Sequence, residues 1–347
     1  MNLKLRKTSR IAISALTPNR PHHAQWLITR KCNYRCRGCN VWKEQDQREL
    51  STQEIIKGLN ILKSLGVVEI VLSGGNPLLR KDASEIIEHA SNLFITTVYD
   101  NGSMAKEKID ILRKVDFVAI SIDSLSAEKN DYIKAVPGAW KKAIEAVETL
   151  HNEGINVSVT PTISQLNLYE IVDITEYFTQ RGIPVWYCLY SYDQTDYKNQ
   201  LFRIGKANDE FIIKDKKAMV RLCDTLITMK KKNGRILMTT KLLKVLKTFF
   251  REGKRTWKCR ALQNFIVIDH LGRIAGCHSH NFAGSIFDLP EIWKSEKFNS
   301  LRQTYSECTQ CAYLCYIFYS LHGSPVGNIT LAKDQWKNAR LLLEKKH

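Results

Sequence analysis

From about residue 24 the chain alternates short apolar, β-like runs with longer helical patterns, and that rhythm restricts it to a parallel α/β fold. Expected strands are Ala24–Thr29, Val68–Ser73, Phe94–Tyr99, Phe117–Ile122, Ile155–Thr160 and Ile183–Tyr190. Helical patterns lie between them near 52–65, 82–91, 105–114, 138–153 and 168–181, with another at about 209–232. The boundaries carry their own signals. Ser51-Thr52-Gln53-Glu54 reads as a capping box, and Gly66, Gly154 and Gly182 stand where helix C-caps belong. After about residue 235 the rhythm stops. A basic amphipathic stretch leads into a cysteine-rich region of short elements, and residues 328–347 read as a closing helix.

The loop after the first strand carries the densest chemistry, Lys31-Cys32-Asn33-Tyr34-Arg35-Cys36-Arg37-Gly38-Cys39-Asn40. Cys32, Cys36 and Cys39 can bind three irons of a [4Fe–4S] cluster and leave the fourth iron open to a small molecule. A zinc site or unrelated buried cysteines are the competing readings, but zinc normally takes four ligands in paired C-x2-C units. The other cysteines cluster at metal-ligand spacings in a 347-residue chain with no visible signal peptide, which favours metal binding in a reducing cytoplasm over disulfides. No run of eighteen apolar residues is present, so a transmembrane helix is not expected.

The cysteine string resembles the signature of the radical S-adenosylmethionine (radical SAM) enzymes. The resemblance implies that the open iron chelates SAM and that an electron cleaves SAM to a 5′-deoxyadenosyl radical. It also implies a partial (β/α)6 TIM-like barrel, α/β in class, over residues 24–235, with its functional groups at the strand C-terminal ends. The basic residues 1–23 precede this core.

Four further turns fit the resemblance. Ser73-Gly74-Gly75-Asn76-Pro77 follows the second strand, where the family commonly reads Gly-Gly-Glu-Pro. Gly74 and Gly75 would let the backbone approach SAM, and the Asn76 oxygen would accept from its ammonium without the charge a Glu supplies. Ser121 and Asp123, two apart at the end of strand four, point the same way and would contact the ribose or methionine portion of SAM. A helix N-cap at Asp123 or Ser124 is the alternative. Asp100-Asn101-Gly102 resembles a Thr-Asn-Gly turn of related enzymes, which places Asn101 at SAM, although a turn built from αL-tolerant residues explains it equally. Tyr34, inside the cysteine loop, completes the expected SAM contacts.

The C-terminal cysteines repeat the theme. Cys259, twelve residues, Gly272, four residues and Cys277 fit the pattern of the SPASM and twitch auxiliary-cluster domains. Cys308 and Cys311 add a C-x2-C pair, and these four thiolates suffice for a second [4Fe–4S] cluster. Cys315 is a spare, an alternative ligand or a core residue. The shorter twitch type fits better, as a small α+β domain over 259–327, and a four-cysteine zinc site is the competitor. Cys188, near the end of strand six, is a candidate hydrogen donor. Tyr190 and Asp193 on the same rim are candidates for handling substrate or protons.

Charge narrows the partner. The net charge is +17, and it is concentrated in residues 1–31 (+7) and 230–260 (+11). Within 236–258, Lys241–Arg251 puts Leu242, Leu246, Phe249 and Phe250 on one helical face with lysines on the other, the pattern of a membrane-surface helix or of an ordinary buried one. These segments point to an anionic amphiphile, a lipid or isoprenoid phosphate, as substrate of an oxidoreductase or C–C bond-forming enzyme. A peptide or protein substrate is second, since only 31 residues precede Cys32, too few for a peptide-binding domain. Nucleic acid is third, lacking a recognisable RNA-binding module. The resemblance further implies reduced ferredoxin or flavodoxin as electron donor. A cytoplasmic location follows, with peripheral contact at the inner face of the membrane as a variant. From a different class comes a non-enzymatic iron- and zinc-binding protein that docks on membrane or nucleic acid through its basic segments.

Overall fold

The computed structural model describes residues 20–43, 48–191, 209–232, 234–277, 280–309, 312–321 and 334. Thus Asp193, Cys311, the first nineteen residues and nearly all of the expected closing helix lie outside the described residues.

Strand β1 (His23–Thr29) is followed by α1 (Thr52–Ser64), β2 (Glu69–Gly74), α2 (Ala83–Leu93), β3 (Ile95–Asp100), α3 (Ile109–Leu112), β4 (Phe117–Ile120), α4 (Ala127–Lys134), α5 (Ala139–Asn152) and β5 (Val157–Val159). Strands β1 to β5 pair in sequence order, all parallel, as right-handed β/α connections require. Helices cover this sheet, so Trp26, Ile28, Ile70, Leu72, Val98 and Ile120 are all buried in one continuous core. The Ser51–Glu54 capping box forms, with the Glu54 backbone N–H donating to Ser51 Oγ and the Ser51 N–H to Glu54 Oε2 at 2.8 Å.

Prolines break the far edge of the barrel. Pro161 has no N–H to give, and it divides the fifth strand into β5 and β6 (Thr162–Ile163). After α6 (Ile171–Gln180), β7 (Cys188–Leu189) pairs in parallel with β6. Val185 bridges from Val159 to Ile236, carrying the wall past β5. The expected eight-residue sixth strand is therefore a two-residue ladder and one bridging residue, with Pro184 in the strand itself and Pro161 in its partner each lacking an N–H for the ladder.

The remaining elements are α7 (Lys216–Lys232), α8 (Thr240–Glu252), β8 (Phe265–Ile268), β9 (Arg273–Ala275), β10 (Gly284–Ser285), α9 (Leu289–Ile292), α10 (Glu296–Glu307) and α11 (Leu314–Leu321). Strand β8 pairs in parallel with β1, on the side opposite β2. The cysteine-rich segment thus continues the barrel sheet through β8, β9 and β10. It satisfies the backbone groups that β1, as the first strand of an open barrel, would otherwise leave exposed. Trp26 Nε1 donates to Asp269 O at 3.0 Å and ties the two segments through the core.

Helix α8 resolves the amphipathic stretch. Leu242, Leu243 and Leu246 are buried, and Phe249 and Phe250 pack against the same core. The leucines of the apolar face are thus covered by the protein itself, while Phe249 and Phe250 stay partly exposed. Among the described residues no helix is long and apolar enough to cross a membrane.

Candidate active site

The cysteine loop is rooted at the C-terminal end of β1 by two glycines. Gly75 N donates to Thr29 O at 2.8 Å, and Asn76 N donates to Lys31 O at 2.8 Å. A Cβ on Gly74 would stand 2.1 Å from Thr29 O, and one on Gly75 2.2 Å from Lys31 O. Their first task is the approach of the β2 turn to the root of the cysteine loop, where no side chain fits.

Further along, the loop folds by local backbone bonds and docks on α4. Cys39 N donates to Cys36 O, Arg35 Nη1 to Cys32 O, and Arg37 N to Ile133 O. Cys32, Cys36 and Cys39 are half-buried and lie within electrostatic reach of one another. Burial pushes the Cys36 thiol up to about 12 and raises Cys32 and Cys39 as well, so metal loading must displace protons from all three. Among the described residues no three His, Cys, Asp or Glu side chains close on one point as ligands of a single ion. A three-thiol donor set fits a four-iron cluster with one open iron better than tetrahedral zinc.

Sequence reasoning missed Lys134, which faces this loop. Its Nζ is 2.7 Å from Asp123 Oδ2 and donates to Ser121 Oγ at 3.0 Å. Burial pulls the Lys134 pKa down, but the Asp123 carboxylate and the neighbouring Cys36 outweigh it and hold the ammonium above its usual range. Ser121 and Asp123 do point the same way, as alternation required, and Lys134 is where they converge. Asp123 Oδ1 also accepts from Thr162 N, while Ser126, rather than Asp123 or Ser124, caps α4. No signal in the sequence separates Lys134 from the chain's other lysines; only α4 brings it inside.

Asn76 is corrected. Its side chain is fully buried, and its oxygen accepts from Leu78 N at 3.0 Å to cap the turn Pro77–Leu79. Its amide nitrogen donates to Asp100 Oδ1 at 2.7 Å and to Asn101 Oδ1 at 3.2 Å. The oxygen expected to receive an ammonium is thus engaged in a backbone cap. Asn101 Nδ2 reaches Asn33 Oδ1 at 3.0 Å, so the third turn ties the β2 turn to the cysteine loop. Tyr34 is buried under the same loop.

On the opposite wall, Cys188 is hydrogen-bonded to the Tyr99 hydroxyl and feels both Asp123 and Lys134. Burial pushes its thiol up to about 12, so at neutral pH it holds its proton. Tyr190 stacks on Phe211 with ring centroids 5.1 Å apart and donates to Asp209 Oδ2 at 2.7 Å. It lies over Gly38 of the cysteine loop.

Three of the auxiliary cysteines, Cys259, Cys277 and Cys308, gather around one tyrosine. The Tyr305 hydroxyl accepts from Gly276 N at 3.1 Å and lies within electrostatic reach of Cys277, Cys259 and Cys308. Cys259 and Cys277 are buried, and Cys308 is half-exposed. The glycine of the spacing pattern, Gly272, turns the β8–β9 hairpin at φ 75°, a conformation that glycine alone takes without strain. Cys315 stands within reach of Tyr99 and Tyr319, toward the barrel wall.

Comparison with known proteins agrees with this geometry. The profile of the radical SAM superfamily matches residues 26–178, and that of the SPASM iron–sulfur cluster-binding domain matches residues 259–316. The chain thus contains a radical SAM domain followed by a SPASM-type iron–sulfur cluster-binding domain, which together imply SAM, a [4Fe–4S] cluster that binds it and auxiliary iron–sulfur binding. It is 28% identical to an AdoMet-dependent heme synthase of Oleidesulfovibrio alaskensis, over 83% of this chain and 79% of that protein. An AdoMet-dependent heme synthase of Methanosarcina barkeri is 26% identical over 85% of this chain and 89% of its own length. The fold resembles the crystal structure of Streptococcus suis SuiB bound to precursor peptide SuiA, with a TM-score of 0.66, 16% identity, and coverage of 86% of this chain and 70% of that one.

Proposed function

We propose that this chain oxidises a carboxylate-bearing tetrapyrrole by hydrogen-atom abstraction. The observation that carries the reading is the likeness to two AdoMet-dependent heme synthases over more than four-fifths of the chain. A strongly basic protein suits such a polyanionic ring as well as it suits a lipid phosphate. The lipid and isoprenoid expectation loses part of its argument, because Leu242, Leu243 and Leu246 of α8 pack into the core.

When bound, the first cluster and SAM supply the 5′-deoxyadenosyl radical, and the auxiliary cluster supplies an acceptor for the second electron of an oxidation. Cys32, Cys36 and Cys39 would hold the first cluster; Cys259, Cys277, Cys308 and Cys311 the second. Lys134 and Ser121 present donors suited to the SAM carboxylate. Cys188 and Tyr99 line the site with neutral thiol and hydroxyl groups, and reduced ferredoxin or flavodoxin would be the electron donor.

A peptide substrate is the second reading, favoured by the fold shared with SuiB, whose structure holds a precursor peptide. To test both, the anaerobically reconstituted protein is given SAM and dithionite with an iron coproporphyrin, a peptide library or polar lipids. Tetrapyrrole-stimulated 5′-deoxyadenosine with a mass loss in the porphyrin supports the proposal. Stimulation by peptides alone overturns it.

A further inference from the structure

We propose that Asp100 is the carboxylate that receives the α-ammonium of SAM in this chain, with Asn76 as its positioning partner. The assignment rests on the reading that this site binds SAM, and goes beyond it by naming the anchoring group.

Asp100 ends β3 and is 4% exposed. Its Oδ1 accepts from Asn76 Nδ2 at 2.7 Å and its Oδ2 from Gly102 N at 2.7 Å. The backbone N–H groups of Asn101 and Met104 also donate to this carboxylate; all four donors are neutral, and among the described residues no Lys, Arg or His pairs with it. A buried carboxylate normally has a cation or a metal beside it, since removing its hydration is expensive. Asp100 is also placed where a ligand of the cysteine loop would lie, within electrostatic reach of Cys32 and Tyr34.

A second orphan borders it. The Tyr34 hydroxyl is buried and has no hydrogen-bond partner among the described residues. A buried carboxylate with no cation beside it and a buried hydroxyl with no hydrogen-bond partner thus flank the same loop. A ligand with a cationic N–H donor beside an acceptor answers both, and the amino-acid end of SAM has that chemistry. Asn76 holds Asp100 from one side, and Asn101 and Ser103 fasten Asn76 in turn. The charge missing from the β2 turn, where Asn stands at 76, is therefore present 2.7 Å away on the β3 turn.

The test is calorimetric titration of the anaerobically reconstituted protein, with iron and sulfide content checked for each variant. The ligands are SAM and an analogue in which hydrogen replaces the α-amino group. Wild type should prefer SAM by about tenfold or more, the scale of one charge-assisted contact. Asp100→Asn should weaken SAM by a similar factor of about ten and leave the analogue within about threefold, so the preference collapses. Moving the charge back in the double variant Asn76→Glu/Asp100→Thr should restore SAM binding to within about threefold of wild type. Equal affinity of wild type for the two ligands would overturn the assignment, as would an equal loss for both ligands in Asp100→Asn. If Asp100→Asn does not fold, the wild-type ligand ratio and the double variant still decide. Wild type with both clusters that binds no SAM would overturn the underlying reading and this assignment with it.

Discussion

Lys134 Nζ lies 2.7 Å from Asp123 Oδ2, and the two side chains are only 7% and 6% exposed. The pair is the charged centre of the barrel mouth, because Cys36, Cys39 and Cys188 all feel one or both of its members. Removing one partner of such a pair leaves the other charge buried. Lys134→Met should therefore destabilise the protein by about 3–5 kcal/mol, and Lys134→Met/Asp123→Asn by markedly less. Anaerobic denaturant titration measures both. A single variant as stable as wild type would show that the ammonium is not buried on Asp123.

Gly74 and Gly75 should each refuse a methyl group. The Cβ of alanine at either position would overlap a backbone carbonyl of β1 or of the cysteine loop, and Gly74 also sits at φ 137°. We expect Gly74→Ala and Gly75→Ala to cost about 3 kcal/mol or more, or to lose iron from the first site while the auxiliary site keeps its share. Iron content and thermal unfolding report this. Normal loading in both variants would contradict the close approach.

Acid should weaken the fold through buried histidines. His23 is 3% exposed and stacks on Tyr319 with centroids 3.5 Å apart. Burial lowers its pKa, with Glu69 opposing, so the folded value lies below the unfolded 6.5. The unfolded chain then binds the proton more tightly, and stability present above pH 6.5 is lost as the pH falls below it. One such group contributes a slope of at most about 1.4 kcal/mol per pH unit. His23→Phe keeps the stack and should flatten the loss between pH 7 and 5.5, read from urea midpoints. An unchanged slope would remove His23 from the account.

Helix α8 separates a core helix from a membrane helix. Leu246 is 1% exposed, so Leu246→Ala should cost about 2–5 kcal/mol and leave binding to anionic vesicles unaltered. Lys247 pairs with Asp224 at the surface, and Lys247→Glu should change stability by no more than about 1 kcal/mol. Vesicle binding that disappears with Leu246→Ala while stability holds would place this face on a bilayer instead.

The first five strands were legible in the sequence because each is a short apolar run bounded by a glycine or a cap, and the parallel order follows from their spacing. The cysteine loop was legible because its ligands are adjacent in the chain. Helix α4 was not: Ala127–Lys134 contains Glu128, Lys129, Asn130 and Asp131 and has no apolar stripe to betray it. With α4 went Lys134, whose role exists only after the helix brings it to Ser121 and Asp123 beyond the end of β4. The parallel pairing of β8 with β1 was hidden for a similar reason, since nothing in Phe265–Ile268 names its partner more than two hundred residues away. The bond from Leu78 N to the Asn76 oxygen was not legible either, a local competition that residue types alone do not reveal.

The central claim is that Cys32, Cys36 and Cys39 hold the cluster that cleaves SAM. The direct measurement is 5′-deoxyadenosine formed from SAM and dithionite by anaerobically reconstituted wild type and Cys36→Ala, each with its iron counted. Wild type should hold about eight irons and form the product, while Cys36→Ala should retain about four, in the auxiliary site, and form none. Undiminished 5′-deoxyadenosine from Cys36→Ala, or none from wild type carrying both clusters, would contradict it.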